Sequence, residues 1–468
     1  MNIIHISAEC YPIAKVGGLA DVVGALPKYQ NNIGANSSVI IPFYDTNFTK
    51  GNSFNSIYNS SVTLGNTDYT FKVLSLNENS LGFELYLVDI PDLLFKDYVY
   101  SENDTDRFLA FQIAALDWLI QLEKNPSVIH CHDHHTGLIP FMMSHCFKYE
   151  ALRETPSILT IHNAQYQGWF SHDQVFKIPQ FDFFKAGLLD WNQTINPLAA
   201  GIKCAWKVTT VSPSYMEELK NSANGLEDLL SHESAKCSGI LNGIDSKVWN
   251  PETDPLIIKN YSVRTIQSGR KANKKWLCNK FKLDHDKPLF AFIGRLVYEK
   301  GADLFPDIFY KALLKNEINI LVLGSGDKQV EAKLKTLNTP FKNNYNSFIG
   351  YDESLAHKIY AGADFLLMPS RVEPCGLNQM YSLRYGTIPI VRNIGGLKDT
   401  IIDIADDGFG ICHNETTVGE VCEAIDRAST LYQNQQKFKK IRKLIMQIDH
   451  SWGSSAQAYI NLYNSSNQ

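Results

Sequence analysis

Between Asp364 and Gly396 the chain passes from one wholly apolar run to another through a segment of helical spacing. Phe365 to Met368 carries no polar side chain and stops at Pro369, the composition of a strand buried on both faces of a parallel sheet. Ser370, Arg371 and Glu373 then turn the chain polar, in a loop closed by Pro374, Cys375 and Gly376. Leu377, Met380, Tyr381 and Arg384 recur at helical intervals until Gly386 ends the pattern, and IPIV from Ile388 opens a second strand. In an open α/β sheet the loop at the carboxyl end of a strand lines the ligand crevice, and the amides opening the next helix favour an anion. A carboxylate would repel that anion. Glu373 is therefore read as accepting hydrogen bonds from hydroxyls, with the amides of Gly376 and Leu377 facing the negative part. Such a ligand is hydroxylated at one end and phosphorylated at the other, as a sugar nucleotide is. Taken alone, the segment also fits a solvated glutamate beside a plain turn.

The same alternation runs through the whole chain. Strands are predicted at NIIHIS (2–7), SSVIIP (37–42), FKVLSL (71–76), FELYLVDI (83–90), SVIHCHD (127–133), SILTIH (157–162), KVTTVS (207–212) and GILNGI (239–244). A helix is predicted from about Asp104 to Leu122, with Phe108, Phe111, Ala115, Leu116 and Leu119 on its inner face, and another at PSYMEEL, capped by Ser212. After the proline-containing VWNPETD (248–254) and a basic helix at about 262–280, the pattern restarts with PLFAFIG (288–294), INILVLG (318–324) and YNSFIGY (345–351). Strands alternating with helices make doubly wound parallel sheets, and 468 residues suffice for two or three domains. The expected division is 1–245, 246–449 and a final helical segment 450–468, beginning SWGSSAQAYINLY.

Composition narrows the partners. With 44 basic and 49 acidic residues the net charge is −5, spread without long runs, so no nucleic-acid groove is expected. The nine cysteines are odd in number and scattered, which suits reduced thiols in a cytosol. The chain begins with a strand-like segment, without a charged leader, and holds no long apolar run; a cytoplasmic protein with no membrane partner is expected.

Several strand ends carry candidate chemistry. The loop AECYPIAKVGG places Lys15 beside Gly17 and Gly18 before a helix; glycine lets a ligand approach the backbone and lysine can neutralise a phosphate. His130, His132, Asp133, His134 and His135 form the densest ionisable cluster. Zinc sites of known spacing use HExxH or paired CxxC, and neither is present, so no metal is assigned and the cluster is read as meeting sugar hydroxyls or capping the helix near Thr136. SILTIH delivers His162 and Asn163 to its carboxyl end. PLFAFIG ends at Arg295, with Lys300 just before Gly301. Two fixed cations would stabilise the negative charge that builds on a departing diphosphate. GSGD (324–327) lacks the third glycine and the acidic partner of a dinucleotide fingerprint.

KVGGLADVVGALP, HCHDHHTGLIP, TIHNAQYQGWF, VSPSY, LNGID, GRLVYEKG, PSRVEPCGLNQMYSLRYGTIPIVRNIGGLKDT and the closing HSW, in this order over residues 1 to about 465, together resemble bacterial glycogen synthase and plant starch synthase. The resemblance implies an α/β protein of the GT-B fold: two Rossmann-like doubly wound domains facing a central cleft, with a C-terminal helix crossing back to the first. It implies retaining transfer of glucose from ADP-glucose to the non-reducing end of an α-1,4-glucan such as glycogen, without metal or cofactor. A UDP-glucose-using transferase of the same fold and a glucan-binding homologue without turnover are the alternatives. Carried over, Lys15, Gly17 and Gly18 approach the donor phosphates and reacting sugar; Asp133, His162 and Asn163 meet the glucose. Arg295 and Lys300 hold the diphosphate. Glu373 engages the glucose beside Cys375, while Gly376 and Leu377 receive phosphate. Asp21 and Asn242 line the site, and Tyr351 forms part of the adenine or ribose wall. This chain departs from the family at His134, usually tryptophan, and at Ala199, usually lysine.

Overall fold

The computed structural model describes residues 1–465; positions 466–468 of the expected C-terminal segment lie outside the described residues. The chain divides into two compact units, one formed by Met1–Asn242 with the chain from Trp452 onward, the other by Gly243–Ser451.

In the first unit β1 (Asn2–Ile6), β2 (Asn36–Pro42), β3 (Phe54–Leu64), β4 (Thr67–Leu76), β5 (Glu84–Asp89), β6 (Val128–His132) and β7 (Ser157–Ile161) are followed by a small ribbon, β8 (Asp190–Trp191) with β9 (Thr194–Ile195), and then by β10 (Lys207–Thr210) and β11 (Cys237–Gly239). All but the ribbon form one sheet in the order β11-β10-β7-β6-β1-β2-β5-β4-β3. β3 and β4 pair antiparallel, as do β4 and β5, and the remaining neighbours are parallel. Two of the predicted strands end short: GILNGI is extended only at its first residue, Gly239, and KVTTVS stops at Thr210, where Ser212 caps the helix Pro213–Leu219 by accepting from the Tyr215 amide. β3 escaped the reading of periodicity. Its sequence FNSIYNSSVTL is polar and exposed along most of its length, as an outermost strand must be to resist pairing with another chain.

One face of this sheet is covered by the helices Gly18–Asn32 and Trp452–Ser465. Ile3, Val128 and Ile158 of three adjacent strands pack there with Val22, Leu26, Trp452, Ala456, Tyr459 and Tyr463. Strand alternation puts His5, His130, His132 and Thr160 on the same face, and the register sets His5 opposite His130 and His132 opposite Thr160.

The second unit holds β12 (Leu289–Ile293), β13 (Asn319–Gly324), β14 (Tyr345–Ile349), β15 (Phe365–Met368), β16 (Ile388–Arg392) and β17 (Ile411–His413), all parallel, in the order β14-β13-β12-β15-β16-β17. The basic helix, observed at Ile266–Phe281, is partly interior. Its Arg270 is buried and donates to the carbonyls of Tyr360, Ala363 and Tyr385 and to Thr387 Oγ1, so it pins helix and strand ends together. Asp364, at the mouth of β15, pairs with Lys274 at 2.8 Å and Arg442 at 3.1 Å. Burial pushes its carboxyl up, and these two cations more than offset that, holding it below the usual range. GSGD belongs to the packing of this sheet: a Cβ on Gly324 would stand 2.0 Å from the Gly294 carbonyl oxygen and one on Gly326 2.4 Å from that of Leu296. Its Asp327 caps the helix Lys328–Thr336.

Candidate active site

In each sheet the strand order reverses once, and that reversal fixes where a ligand can sit. In a doubly wound sheet the two loops leaving the carboxyl ends of the strands at the reversal diverge to opposite faces and leave a crevice. In the second unit the reversal lies between β12 and β15, because β13 and β14 extend the sheet one way and β16 and β17 the other. Arg295 and Lys300 follow β12, and Glu373 follows β15.

There Lys300 Nζ reaches both carboxylate oxygens of Glu373, at 2.7 and 2.6 Å, and Ser370 Oγ donates to the carboxylate at 2.9 Å. The two loops are stitched by backbone: the amides of Arg371 and Val372 donate to the Glu299 carbonyl. Arg371 clamps Asp303 with both terminal nitrogens, at 2.6 and 2.9 Å, and lies over the Tyr298 ring. Gly301 makes this possible; its φ is +72° and a Cβ would meet the Pro369 carbonyl oxygen at 2.6 Å. Beyond Glu373, Gly376 has φ +71°, and Gln379 bonds the carbonyls of Cys375 and Gly376. The helix Asn378–Tyr385 starts here, and Asn378 anchors it to the end of β12 by donating to the Ile293 carbonyl at 2.8 Å. The amides of Gly376 and Leu377 donate to no acceptor among the described residues, which leaves them for an anion. Arg295 is exposed, with no hydrogen bond or ion pair among the described residues. Tyr351, in the loop after β14, is 83% exposed.

In the first unit the reversal lies between β1 and β6. The loop after β1 holds Lys15, paired with Asp21 at 2.6 Å, and the glycine pair. Gly17 is tied to the start of the same loop by its own backbone. Its amide already donates to the Glu9 carboxylate at 2.9 Å, as that of Val16 does at 2.6 Å, so Gly17 offers space rather than a donor. A Cβ on Gly17 or Gly18 would meet nothing within 4 Å. Glu9, absent from the sequence reading, also accepts from the Tyr100 hydroxyl at 2.5 Å and so shapes the whole loop.

After β6, Asp133 holds a left-handed backbone, φ +59°, uncommon outside glycine. Its carboxylate accepts from the amides of His162 at 2.7 Å and Asn163 at 3.4 Å, tying the ends of β6 and β7. Burial pushes its pKa up to about 7, against those two hydrogen bonds. Asn163 Oδ1 closes a turn with the Gln165 amide, and Asn242 Oδ1 is buried without a partner among the described residues.

The histidine cluster splits in two. His130 and His132 join His5, with ligand atoms within 4.8 Å of one another, a trio that could hold a metal by proximity. Every ring nitrogen of the three is already hydrogen-bonded, to Gln30, Tyr463, Thr160, His162 or one another. The rings of His134 and His135 meet at a tilt instead, and His135 stacks on Tyr100. Ala199 is wholly buried in the first turn of the helix Pro197–Cys204, so the family's lysine would place its stem in packed interior.

A family described as "Glycosyl transferases group 1" matches residues 275–444. Sucrose-phosphate synthase from Thermosynechococcus elongatus shares the fold, with a TM-score of 0.63 at 18% identity over 99% of this chain and 98% of that one. Two doubly wound sheets with charged loops at their reversals are thus those of a GT-B glycosyltransferase. The family described as "Starch synthase catalytic domain" matches residues 2–232. The glycogen synthase of Flavobacterium johnsoniae is 54% identical over 99% of each chain, and that of Thermodesulfovibrio yellowstonii 36% identical over 99% of this chain and 97% of the relative. The catalytic domain of starch synthase IV from Arabidopsis thaliana, bound to ADP and acarbose, aligns with a TM-score of 0.90 at 31% identity, covering 100% of this chain and 99% of that one. The chain belongs to the glycogen and starch synthase family, and it is a hexosyltransferase.

Proposed function

We propose that this chain transfers glucose from ADP-glucose to the 4-hydroxyl at the non-reducing end of an α-1,4-glucan, with retention at the anomeric carbon. The observation that carries the reading is the Lys300–Glu373 pair, held at the reversal of the second sheet, whose two loops also carry Arg295 and two amides without acceptors among the described residues. As the bond from the anomeric carbon to the diphosphate oxygen breaks, negative charge grows on the leaving group. Lys300 and the amides of Gly376 and Leu377 oppose it from fixed positions, joined by the Arg295 guanidinium, and preorganised charge of this sort is commonly the largest catalytic term. Glu373, oriented by Lys300 and Ser370, accepts from the hydroxyls of the transferred glucose. The acceptor oxygen attacks from the leaving group's own face and its proton passes to the departing phosphate oxygen, so no carboxylate nucleophile is needed.

The first unit supplies the acceptor side. Lys15, Gly17, Gly18 and Asp21 are assigned to the loop nearest the donor phosphates and reacting sugar, Asp133, His162 and Asn163 to the glucose hydroxyls, and Asn242 to the lining. Cys375 shapes the glucose pocket, and Tyr351 walls the adenosine. The glycogen synthase name carried by relatives of near full-length match, and ADP on the Arabidopsis relative, support the donor and acceptor chosen. No described helix is long and apolar enough to cross a membrane, and no disulfide joins the nine cysteines, all of them among the described residues, which fits a reducing cytoplasm.

The test is nucleotide release from ADP-glucose and, separately, UDP-glucose, with and without glycogen and with a chelator present. Glycogen-dependent release of ADP is expected. Release of UDP alone would replace the donor, and release of neither from folded protein would leave a glucan-binding homologue.

A further inference from the structure

The buried trio beneath the first sheet's strand ends does not stop at itself. His5 Nδ1 lies 3.0 Å from His132 Nε2, and His132 Nδ1 lies 3.0 Å from His162 Nε2. At the far end His5 Nε2 lies 2.9 Å from Gln30 Oε1. The four side chains form one file from the helix Gly18–Asn32 to the loop after β7. Which way the protons point along it is decided at Gln30. Its Oε1 accepts from Ser37 Oγ at 2.7 Å, and its Nε2 donates to the Tyr463 hydroxyl at 3.1 Å.

An amide oxygen only accepts, so His5 Nε2 must carry the proton facing it. Burial holds His5, His132 and His162 neutral, well below the ordinary histidine range, so each ring has one N–H and one bare nitrogen. His5 Nδ1 is then bare and accepts from His132 Nε2–H, and His132 Nδ1 is bare and accepts from His162 Nε2–H. His162 is left with an unprotonated Nδ1 that has no partner among the described residues. The other end of the same amide settles a side branch. Tyr463 accepts from Gln30 and donates to His130 Nδ1 at 2.7 Å, and His130 Nε2–H donates to Thr160 Oγ1 at 2.6 Å.

We propose that Gln30, His5 and His132 are positioning residues that hold His162 as its Nε2–H tautomer and present its Nδ1 as an acceptor for a hydroxyl of the transferred sugar. This rests on the reading that His162 meets the donor glucose. None of the three touches substrate; they act through His162. The consequence for selectivity is direct: an acceptor nitrogen rewards a hydroxyl and leaves a deoxy or fluoro analogue at that position without its hydrogen bond.

The test is the tautomer itself, read by two-bond proton–nitrogen correlation on full-length protein labelled in its histidine rings, with His162 assigned by loss of its signals in His162→Gln. The expected result for the wild type is a protonated Nε2 and bare Nδ1 on His162. Gln30→Leu is expected to mix the tautomers of His162. Alongside, kcat/KM for ADP-glucose should fall roughly 2- to 13-fold in Gln30→Leu, the worth of one neutral hydrogen bond. A protonated Nδ1 on wild-type His162 would overturn the proposal, as would a His162 pattern that Gln30→Leu leaves unchanged. Correct tautomers with an unmoved kcat/KM would uphold the relay and instead remove His162 from the glucose site.

Discussion

Asp133 combines a left-handed backbone with a carboxylate that is 8% exposed, and the two are one design: the unusual φ turns the side chain back onto the amides of the neighbouring strand end. Its pKa, about 7 in the fold against about 4 unfolded, sets the sign of a pH effect. Between those values the folded chain holds a proton that the unfolded chain releases, so Asp133 lowers stability as pH rises through this window. Asp133→Asn should therefore gain on the wild type by about 1.4 kcal/mol per pH unit from about pH 4 to 7, then level off. Parallel denaturant titrations of the two proteins measure the difference, and a flat difference would show that the carboxylate is ionised throughout. Glu373 behaves differently, because its buried carboxylate is already paired with Lys300, whose side chain is 25% exposed. Glu373→Gln should lower kcat roughly 100-fold while moving the melting temperature by only a few degrees; equal loss of both would make the residue structural. Glu373, Lys300 and Gly376 were legible in the sequence because charge and glycine at a strand end are local signals. Glu9, His5 and Gln30 were not, since each works through partners that only the sheet register or a loop crossing brings near.

At the scale of elements, the strands buried on both faces could be read from their apolar runs, and helices from spacing and caps. β3 could not, because an exposed edge strand rich in Asn and Ser resembles a loop in composition. The loop pair of the second unit depends on Gly301 in a way spacing alone does not reveal. Gly301→Ala must place a Cβ against the Pro369 carbonyl at a left-handed φ. A cost of at least 1–2 kcal/mol is expected from the backbone alone, together with lower kcat, since Lys300 is the preceding residue. Melting curves and initial rates check both, and an unaffected Gly301→Ala would mean the two loops are not rigidly joined.

Across the molecule, alternation of strand and helix announced two parallel sheets, but their strand orders were not in the sequence, and it is the orders that give the site its place. The reversal between β12 and β15 explains why residues as distant as Lys300 and Glu373 share one ion pair. The central claim is that this preorganised cation at the second reversal stabilises the leaving diphosphate. The direct measurement is kcat of Lys300→Ala at saturating ADP-glucose and glycogen, with the unfolding temperature taken on the same preparation. A fall of roughly 100- to 1,000-fold, the loss typical of one preorganised donor, in a protein that still melts near the wild type is the expected result; an unchanged kcat would contradict it and turn Lys300 into no more than a partner for Glu373.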